Sequence, residues 1–224
     1  MALERLRRDP AIRVEGLLTT VSEEFDRVSM HGVRRTLVEA QAKSLALPLV
    51  TVALPSPADR GKVAEGFTAF ASSAAYEDSI GAAFAGARAL GVEGIAFGDI
   101  FLEDLRGYRE SLLARARLSG VFPLWGGRTG ELLEEGLRSG IRAIVACVDG
   151  GKLGREWAGR HLDRDFIRGL PEGVDPCGEN GEYHSFVTDG PGFARPVDVE
   201  VGACVFRDPF WFRDLAAKRP GPGE

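Results

Sequence analysis

Residues 175–193, DPCGENGEYHSFVTDGPGF, combine carboxylates, an imidazole, a thiol and several glycines in one short segment. Asn180-Gly181 is the typical pair at the centre of a two-residue type I′ turn, because both central positions need positive φ. The pair therefore predicts a hairpin. Glu179 and Glu182 then lie directly opposite each other across the turn, with about 5 Å between their Cβ atoms.

Beyond this turn, residues 182–188 alternate as a β-strand does, which predicts that His184 and Glu182 share a face. Two carboxylates about 5 Å apart repel by roughly 3 kcal/mol at an effective dielectric constant near 20. A fold relieves that repulsion with a proton, a metal ion or a cationic ligand. The pattern indicates a polar site. The alternative is a surface turn with both carboxylates in water, and Pro176 shortens any strand before the turn.

Upstream of this segment, predicted helices and strands alternate. Helices are predicted at 1–8, 33–47, 76–90 and 102–117, and strands at 12–20, Leu49–Leu54 and 94–97. This order is typical of an α/β layer with a parallel sheet and crossover helices. Residues 58–75, rich in Ala, Ser and Gly, carry no clear pattern.

Ligands of such sheets bind beyond the carboxyl ends of the strands, here near Thr19, residues 54–56 and Gly98-Asp99. The Asp99 carboxylate either caps the following helix or holds Mg²⁺ through water, and the pattern does not separate these alternatives. His31, in the loop after the first strand, either binds a ligand or caps the next helix. Taken alone, it favours the cap.

The segment VFPLWGGRTG, residues 121–130, marks a predicted seam between two domains, 1–124 and 125–224. After it we predict helices at 131–138 and 163–168 and strands at 141–148 and 197–206. The last strand is expected to pair with 182–188, and the tail from Arg213 onward is expected to fray. The Gly-Gly-Lys sequence at 150–152 lacks the other residues of a phosphate loop, which favours an ordinary turn.

Composition narrows the class of protein. The chain has 44% hydrophobic and 27% charged residues, as globular proteins do, and a net charge of −5, which argues against a general binder of nucleic acids or anionic membranes. The 3 cysteines lack framework spacing and predict a reducing cytoplasm. Cys177 and His184 form a possible nucleophile and base without an orienting third group. No paired ligand spacing indicates zinc.

Four blocks carry a resemblance to a known family. They are LLTTVSEEFDRVSMHGVR (17–34), FGDIFLEDLRGYRE (97–110), FPLWG (122–126) and the segment 175–193. The sequence resembles the bacterial branch of the diphthine–ammonia ligase family. These proteins are PP-loop ATP pyrophosphatases of the adenine nucleotide alpha-hydrolase-like superfamily.

The resemblance implies a Rossmann-like nucleotide-binding domain on a parallel sheet and a smaller α+β C-terminal domain, with the site in the cleft between them. It implies an ATP-dependent, AMP-forming amide ligase that uses Mg²⁺. A carboxylate is adenylated, and ammonia then displaces AMP. The expected partners are a small-molecule or carboxylate-bearing substrate and ammonia, without nucleic acid or membrane. The sequence does not decide between a monomer and a homodimer.

In the C-terminal domain, the resemblance assigns the Glu-x-Gly-Glu signature to residues 179–182. Glu179 and Glu182 would hold ammonium or a cationic substrate, with His184 as a third catalytic residue. Asn180 and Gly181 would form the substrate-binding turn between the two glutamates.

In the N-terminal part, the resemblance places nucleotide-binding roles on five residues. Asp99 would lie near Mg²⁺ and the phosphates, and Thr19 and Gly98 are further candidates for binding the nucleotide. Met30 and His31 would flank the adenine.

One departure concerns the phosphate grip. The family opens with a strand and a Ser-Gly-Gly-x-Asp-Ser loop, whereas MALERLRRDP matches only the helix that follows that loop. Either the start codon is assigned too late, which we favour, or the loop is lost. The printed chain is expected to show weak or no turnover, and a catalytically silent nucleotide-binding module is the alternative function.

Overall fold

The structure is a computed structural model that describes residues 1–54 and 74–218. The chain forms two compact units: unit 1 comprises Met1–Asp26 and Val50–Gly127, and unit 2 comprises Arg27–Leu49 and Arg128–Glu224. The domain boundary after residue 124 stays a prediction. The expectations for residues 55–57 and for most of 58–75 lie outside the described residues.

The helices and strands alternate along most of the chain. The helices are α1 (Ala2–Arg8), α2 (Arg35–Ser44), α3 (Ala74–Ala89), α4 (Glu103–Arg115), α5 (Thr129–Arg138) and α6 (Arg164–Gly169), with a 3₁₀ turn at Arg155–Trp157. The strands are β1 (Leu17–Ser22), β2 (Arg27–Val28), β3 (Leu49–Leu54), β4 (Gly94–Ala96), β5 (Ser119–Val121), β6 (Arg142–Asp149), β7 (Tyr183–Asp189), β8 (Val199–Arg207) and β9 (Phe210–Ala217).

Unit 1 contains short pieces of sheet packed against helices. β1 neighbours β3, and the amide of Glu23 donates to the carbonyl of Leu54 at 3.2 Å, so the carboxyl ends of both strands meet. β4 and β5 pair in parallel from Gly94 and Ser119 onward. The α/β class is confirmed. The described residues form these separate sheet pieces and do not show the one continuous parallel sheet that the alternation predicts.

An apolar cluster holds unit 1 together. Leu54 of β3, Phe84 of α3 and Leu113 of α4 are all buried within it. Each such side chain contributes roughly 1.5–3 kcal/mol when it is removed from water. This burial explains why the alternating apolar pattern of the sequence locates these elements well.

Unit 2 is built on an antiparallel sheet in the order β7-β6-β9-β8. Residues 143–148 of β6 are all buried because clusters of apolar side chains cover both faces of the strand. On one face Ile144 packs with Leu37 of α2, and on the other Val148 packs with Phe166 of α6. The interior of the strand, residues 143–148, is therefore apolar and easily recognised in the sequence.

Two predictions about this sheet are wrong. β8 pairs with β9, and β7 pairs with β6, so β8 does not pair with β7 as expected. The expected fraying is also wrong for residues 213–217, because they belong to β9 (Phe210–Ala217), which lies between β6 and β8. Residues 219–224 lie outside the described residues. Asp214 interrupts the apolar pattern of β9, but its carboxylate is paired with the guanidinium groups of Arg27 and Arg34. A charge paired in this way does not prevent strand formation.

The turn before α2 contains a glycine that other side chains cannot replace. Gly32 has a φ of +66°, and a Cβ atom there would lie 2.5 Å from Cδ1 of Phe212 in β9. Gly32→Ala should therefore lower the free energy of unfolding by about 2 kcal/mol or more, because strain and overlap add. Urea unfolding followed by circular dichroism measures this loss.

Gly86→Ala is the matched control, because Gly86 lies in α3 with open space around its Cβ position. Alanine there should stabilise the helix by up to about 1 kcal/mol. Equal stability of the two variants would contradict the packing described for Gly32.

Candidate functional site

Residues 175–182 form a loop that is held by hydrogen bonds between its own residues. They do not form the predicted hairpin. β7 begins at Tyr183 and pairs with β6, and no strand precedes the loop within residues 170–182. Of the central pair Asn180-Gly181, only Gly181 has positive φ, so the type I′ turn does not form. The amide of Gly181 donates instead to the carbonyl of Gly178 at 3.0 Å.

The carboxylate of Glu182 is enclosed by this loop, and the residue is only 2% exposed. Oε1 accepts from the amide of Asp175 and from Nδ2 of Asn180, both at 3.0 Å, and Oε2 accepts from the amide of Asn180 at 3.1 Å. A buried carboxylate needs such donors to offset its lost hydration. Glu182 therefore fixes the shape of the loop.

Asp175 makes a second set of bonds in the same loop. Its Oδ2 accepts from the amides of Cys177 and Glu179 at 3.0 Å, and its carbonyl accepts from the amide of Gly178 at 2.9 Å. The sequence argument does not single out Asp175. The signal was present, because Asp before Pro commonly starts a turn in which the carboxylate accepts from the amide two residues on.

Together these bonds consume the donors of the loop. Every backbone N–H from Asp175 to Gly181 has an acceptor inside the loop, and Pro176 has no N–H to offer. Loops that bind phosphate need free N–H groups directed at the anion. The loop therefore differs from a phosphate-binding loop. Its remaining polar groups are acceptors, among them the half-buried carboxylate of Glu179.

Cys177 does not behave as a nucleophile in this setting. Its thiol donates to the carbonyl of Thr129 at 3.2 Å. Burial, with smaller contributions from Asp175 and Glu179, raises the pKa of the Cys177 thiol to about 12. The thiol remains protonated at neutral pH, so the geometry does not support the Cys177 and His184 pair as a hydrolase site.

His184 instead lies against His31, with 4.4 Å between the ring centroids. The loop that carries His31 has positive φ at Met30 and Gly32, and the Cys147 thiol contacts the Met30 carbonyl at 3.6 Å. Burial lowers the pKa of His31. Burial, and then the neighbouring His31, lower the pKa of His184 to about 3. Both rings are neutral at pH 7. The sequence named both histidines as site residues but did not predict their contact.

Asp99 in unit 1 forms an ion pair with Arg109, a residue that we did not predict from the sequence. Its carboxylate, only 8% exposed, receives Nη2 of Arg109 at 3.1 Å and Nε at 2.6 Å, and Arg109 also covers the ring of Phe97 at 4.3 Å. α4 begins after Leu102 without any side-chain cap, so the predicted cap by Asp99 is wrong. Helical spacing from Asp99 to Arg109 gave no signal because a loop separates them.

Binding of Mg²⁺ at Asp99 stays a prediction. Both carboxylate oxygens of Asp99 face Arg109, and no three acidic, histidine or cysteine side chains among residues 1–54 and 74–218 are arranged to hold a metal ion. We therefore derive no step through Mg²⁺.

The other nucleotide-binding candidates are distributed over the two units. Thr19 lies in β1 of unit 1, and Gly98 lies just after β4 of unit 1, with open space around its Cβ position. Met30 and His31 lie in unit 2, as do Asn180 and the other residues of the loop. Within unit 2 the structure brings His31 to His184 and Asn180 to Glu182.

The ordinary turn expected at the Gly-Gly-Lys sequence is confirmed, since Asp149 starts a turn that is closed by the amides of Gly151 and Lys152. His161 is exposed, and Trp157 is buried in the core of unit 2. The three cysteines form no disulfide. None of the helices in the described part of the chain has the length and apolar character needed to cross a membrane.

The loop 175–182 lies within the part of the chain that matches a known protein family. Residues 129–216, from α5 to β9, match the family described as the diphthamide synthase C-terminal domain. The comparison confirms the resemblance to the diphthine–ammonia ligase family. The proteins named diphthine–ammonia ligase from Mus musculus and Bos taurus are 30% and 32% identical to this chain, over 57% of this chain and 50% of their own length. The human protein of that name is 30% identical over the same shares. The chain spans about half the length of the curated relatives it matches.

Both carboxylate oxygens of Glu182 accept hydrogen bonds, so replacing one of these oxygens by a donor should lower the stability of the protein. Glu182→Gln places an amide NH₂ where an oxygen accepts from a backbone N–H, so at least one buried bond is lost. We expect a loss of about 1–3 kcal/mol in the free energy of unfolding, measured with urea. Glu172→Gln, at an exposed position nearby, is the control and should change stability by less than about 0.5 kcal/mol. Similar values for both variants would mean that Glu182 does not hold the loop.

The histidine pair predicts that stability falls on acidification. The pKa of His184, about 3 in the folded protein, lies below its unfolded value near 6.5, so the unfolded state binds more protons between these pH values. Stability is complete above pH 6.5 and falls below it, by up to about 1.4 kcal/mol per pH unit for each buried histidine. Unfolding midpoints at pH 7, 6 and 5 should show this slope, and His184→Gln should reduce it. An unchanged slope in His184→Gln would contradict the burial of this pair.

Proposed function

We propose that this chain belongs to an ATP-dependent, AMP-forming amide ligase in which the loop 175–182 binds the ammonium that becomes the amide nitrogen. The observation that carries the proposal is the absence of a free backbone N–H from Asp175 to Gly181, since every donor is bonded internally. The loop matches a ligand that donates hydrogen bonds, as ammonium does, and does not match a phosphate. The match of residues 129–216 to the diphthamide synthase C-terminal domain supports the same class of reaction.

ATP would supply the activation. A carboxylate attacks the α-phosphorus, pyrophosphate leaves, and the product is an acyl adenylate. Ammonia then attacks the acyl carbon, AMP leaves with the bonding electrons, and an amide forms. Ammonium must first lose a proton, and a carboxylate held beside it can accept that proton.

The two glutamates of the signature take different roles in this proposal. Glu182 is a positioning residue, because three N–H donors already occupy its oxygens. Glu179 is the proposed ammonium ligand and proton acceptor, since its backbone amide is fixed on Asp175 while its half-buried side chain carries the charge. The two carboxylates are therefore not equivalent in this proposal: Glu179 binds the ammonium, and Glu182 holds the loop in shape. Asn180 and Gly181 contribute through the shape of the turn.

The roles of the remaining candidates also stay proposals. Thr19 and Gly98 are proposed to approach the nucleotide, since open space near Gly98 would let a ligand reach the backbone. Met30 and His31 are proposed to contact the adenine. His184 is neutral at pH 7 and would act by supporting His31 or by accepting a hydrogen bond.

The proposal is tested by separating its two half-reactions. Carboxylate-dependent exchange between ATP and pyrophosphate reports activation, and AMP release with ammonium reports amide formation. A set of carboxylic-acid metabolites is tested with the 224-residue chain. The same set is tested with a chain extended by any upstream coding sequence. Ammonium-dependent AMP formation with at least one acid is expected from the active form. ATP binding without AMP formation in either form would support the silent nucleotide-binding alternative.

Variants at the two glutamates then assign the nitrogen site. Glu179→Gln should leave the exchange reaction and the fold intact but raise the KM for ammonium by about tenfold or more, since one charged hydrogen bond is worth about 1.5–3 kcal/mol. Glu182→Gln should reduce both amide formation and stability. Glu172→Gln is the control. An unchanged ammonium KM in Glu179→Gln would exclude the loop as the ammonium site while leaving ligase activity itself intact.

A further inference from the structure

Residues 28–33 form a tight turn between β2 and α2, and backbone hydrogen bonds define it. The amide of Val28 donates to the carbonyl of Val33 at 2.7 Å, and the amide of Gly32 donates to the carbonyl of Val28 at 3.0 Å. Met30 and Gly32 both have a φ of +66°. Left-handed backbone is unfavourable for a residue with a side chain, so contacts from outside the turn must hold Met30 in this conformation.

One arginine side chain bonds to this turn and to the sheet at the same time. Nη1 of Arg27 donates to the carbonyl of Gly32 at 2.7 Å, and Nη2 donates to Oδ1 of Asp214 in β9 at 2.8 Å. Because the guanidinium fork is planar and rigid, the two bonds fix the Gly32 carbonyl relative to β9. A second residue of β9, Phe212, lies against the same glycine.

His31 lies inside the turn that is held in this way. Its amide donates to the carbonyl of Ser29 at 2.8 Å, and its ring lies against the ring of His184 in β7, with 4.4 Å between the centroids. A rotation of the turn away from β9 would separate the two rings. The bonds of Arg27 therefore act on a histidine that they do not touch.

We propose that Arg27 is a positioning residue that holds His31 against His184 and thereby shapes the nucleotide site. This inference rests on the proposed contact of the turn with the adenine. Arg27 acts through the Gly32 carbonyl, with Asp214 as its anchor on β9. Neither Arg27 nor Asp214 is among the residues to which the family resemblance assigns a role.

Arg34 provides a matched control because it shares the same anchor. Its Nε donates to Oδ1 of Asp214 at 3.0 Å and its Nη2 to Oδ2 at 2.7 Å, so it makes more bonds to this carboxylate than Arg27 does. In the described part of the chain, no hydrogen bond joins the side chain of Arg34 to the turn. A purely structural role of the ion pairs would therefore make Arg34 at least as important as Arg27.

Imidazole ¹⁵N NMR of the full chain tests the proposal, because the chain contains 3 histidines and each gives its own ring signals. Arg27→Gln should shift the signals of His31 and His184, while Arg34→Gln should leave them in place. His161, in the segment before α6, is the internal reference. Arg27→Lys is a second variant in case Arg27→Gln fails to fold. Lysine keeps the charge but lacks the planar fork, so it should shift the same signals.

Nucleotide binding gives the second readout. Arg27→Gln should raise the KM for ATP by about tenfold, because the turn is misplaced, and should leave the KM for ammonium unchanged. Arg34→Gln should change neither constant. Equal shifts of the histidine signals in both variants, or shifts in neither, overturn the proposal, as does an unchanged KM for ATP in Arg27→Gln. An inactive wild-type chain would contradict the proposed function instead, since the NMR comparison and calorimetric binding of ATP need no turnover.

Discussion

The carboxylate of Glu182 is buried directly before β7 begins. The free energy lost by removing this charge from water must be offset by hydrogen bonds from N–H groups. Asp175 and Asn180 supply those groups, so the chain must curl over Glu182 to deliver them. The solvation of one charge therefore sets the conformation of the whole loop. It also uses up the donors of the loop, which leaves an acceptor surface for a ligand.

The same constraint acts at two other places in the protein. In unit 1, Asp99 is buried and takes both of its partners from Arg109. In unit 2, Asp214 of β9 joins Arg27 and Arg34, and the hydrogen bond from Arg34 is the main reason that its pKa is lowered to about 2. Asp99, a site candidate in the sequence, is thus paired with an arginine of its own unit.

β6 lies next to both the histidine pair and the loop 175–182 of unit 2. Cys147 of β6 contacts the Met30 loop and pairs in register with His184, while the next residue, Val148, pairs with Tyr183, directly after the loop. The histidine pair and the loop 175–182 are thereby both supported by the buried residues 143–148 of one strand. Sites supported in this way hold their geometry more precisely than sites on free loops.

The sequence by itself determined the family resemblance and the order of most elements, but not the strands β2, β5 and β9. Leu49–Leu54 and the apolar core of β6 are located by pattern because burial on one or both faces imposes a local spacing of apolar residues. The location of the polar segment 175–193 also followed from composition. Local spacing contains no record of which strand lies beside which, and so the pairing of β8 with β9 was not predicted.

Only the tertiary structure decided which polar groups act together. The distinction between Glu179 and Glu182 depends on where the amides of the folded loop point, and the contact of His31 with His184 depends on the packing of α2 and its preceding loop on the sheet. The hydrogen bonds to Glu182 depend on the conformation of its own loop, and the neighbour of the His184 ring is distant in the chain. A sequence pattern can therefore identify such groups as candidates, but only the fold assigns their partners.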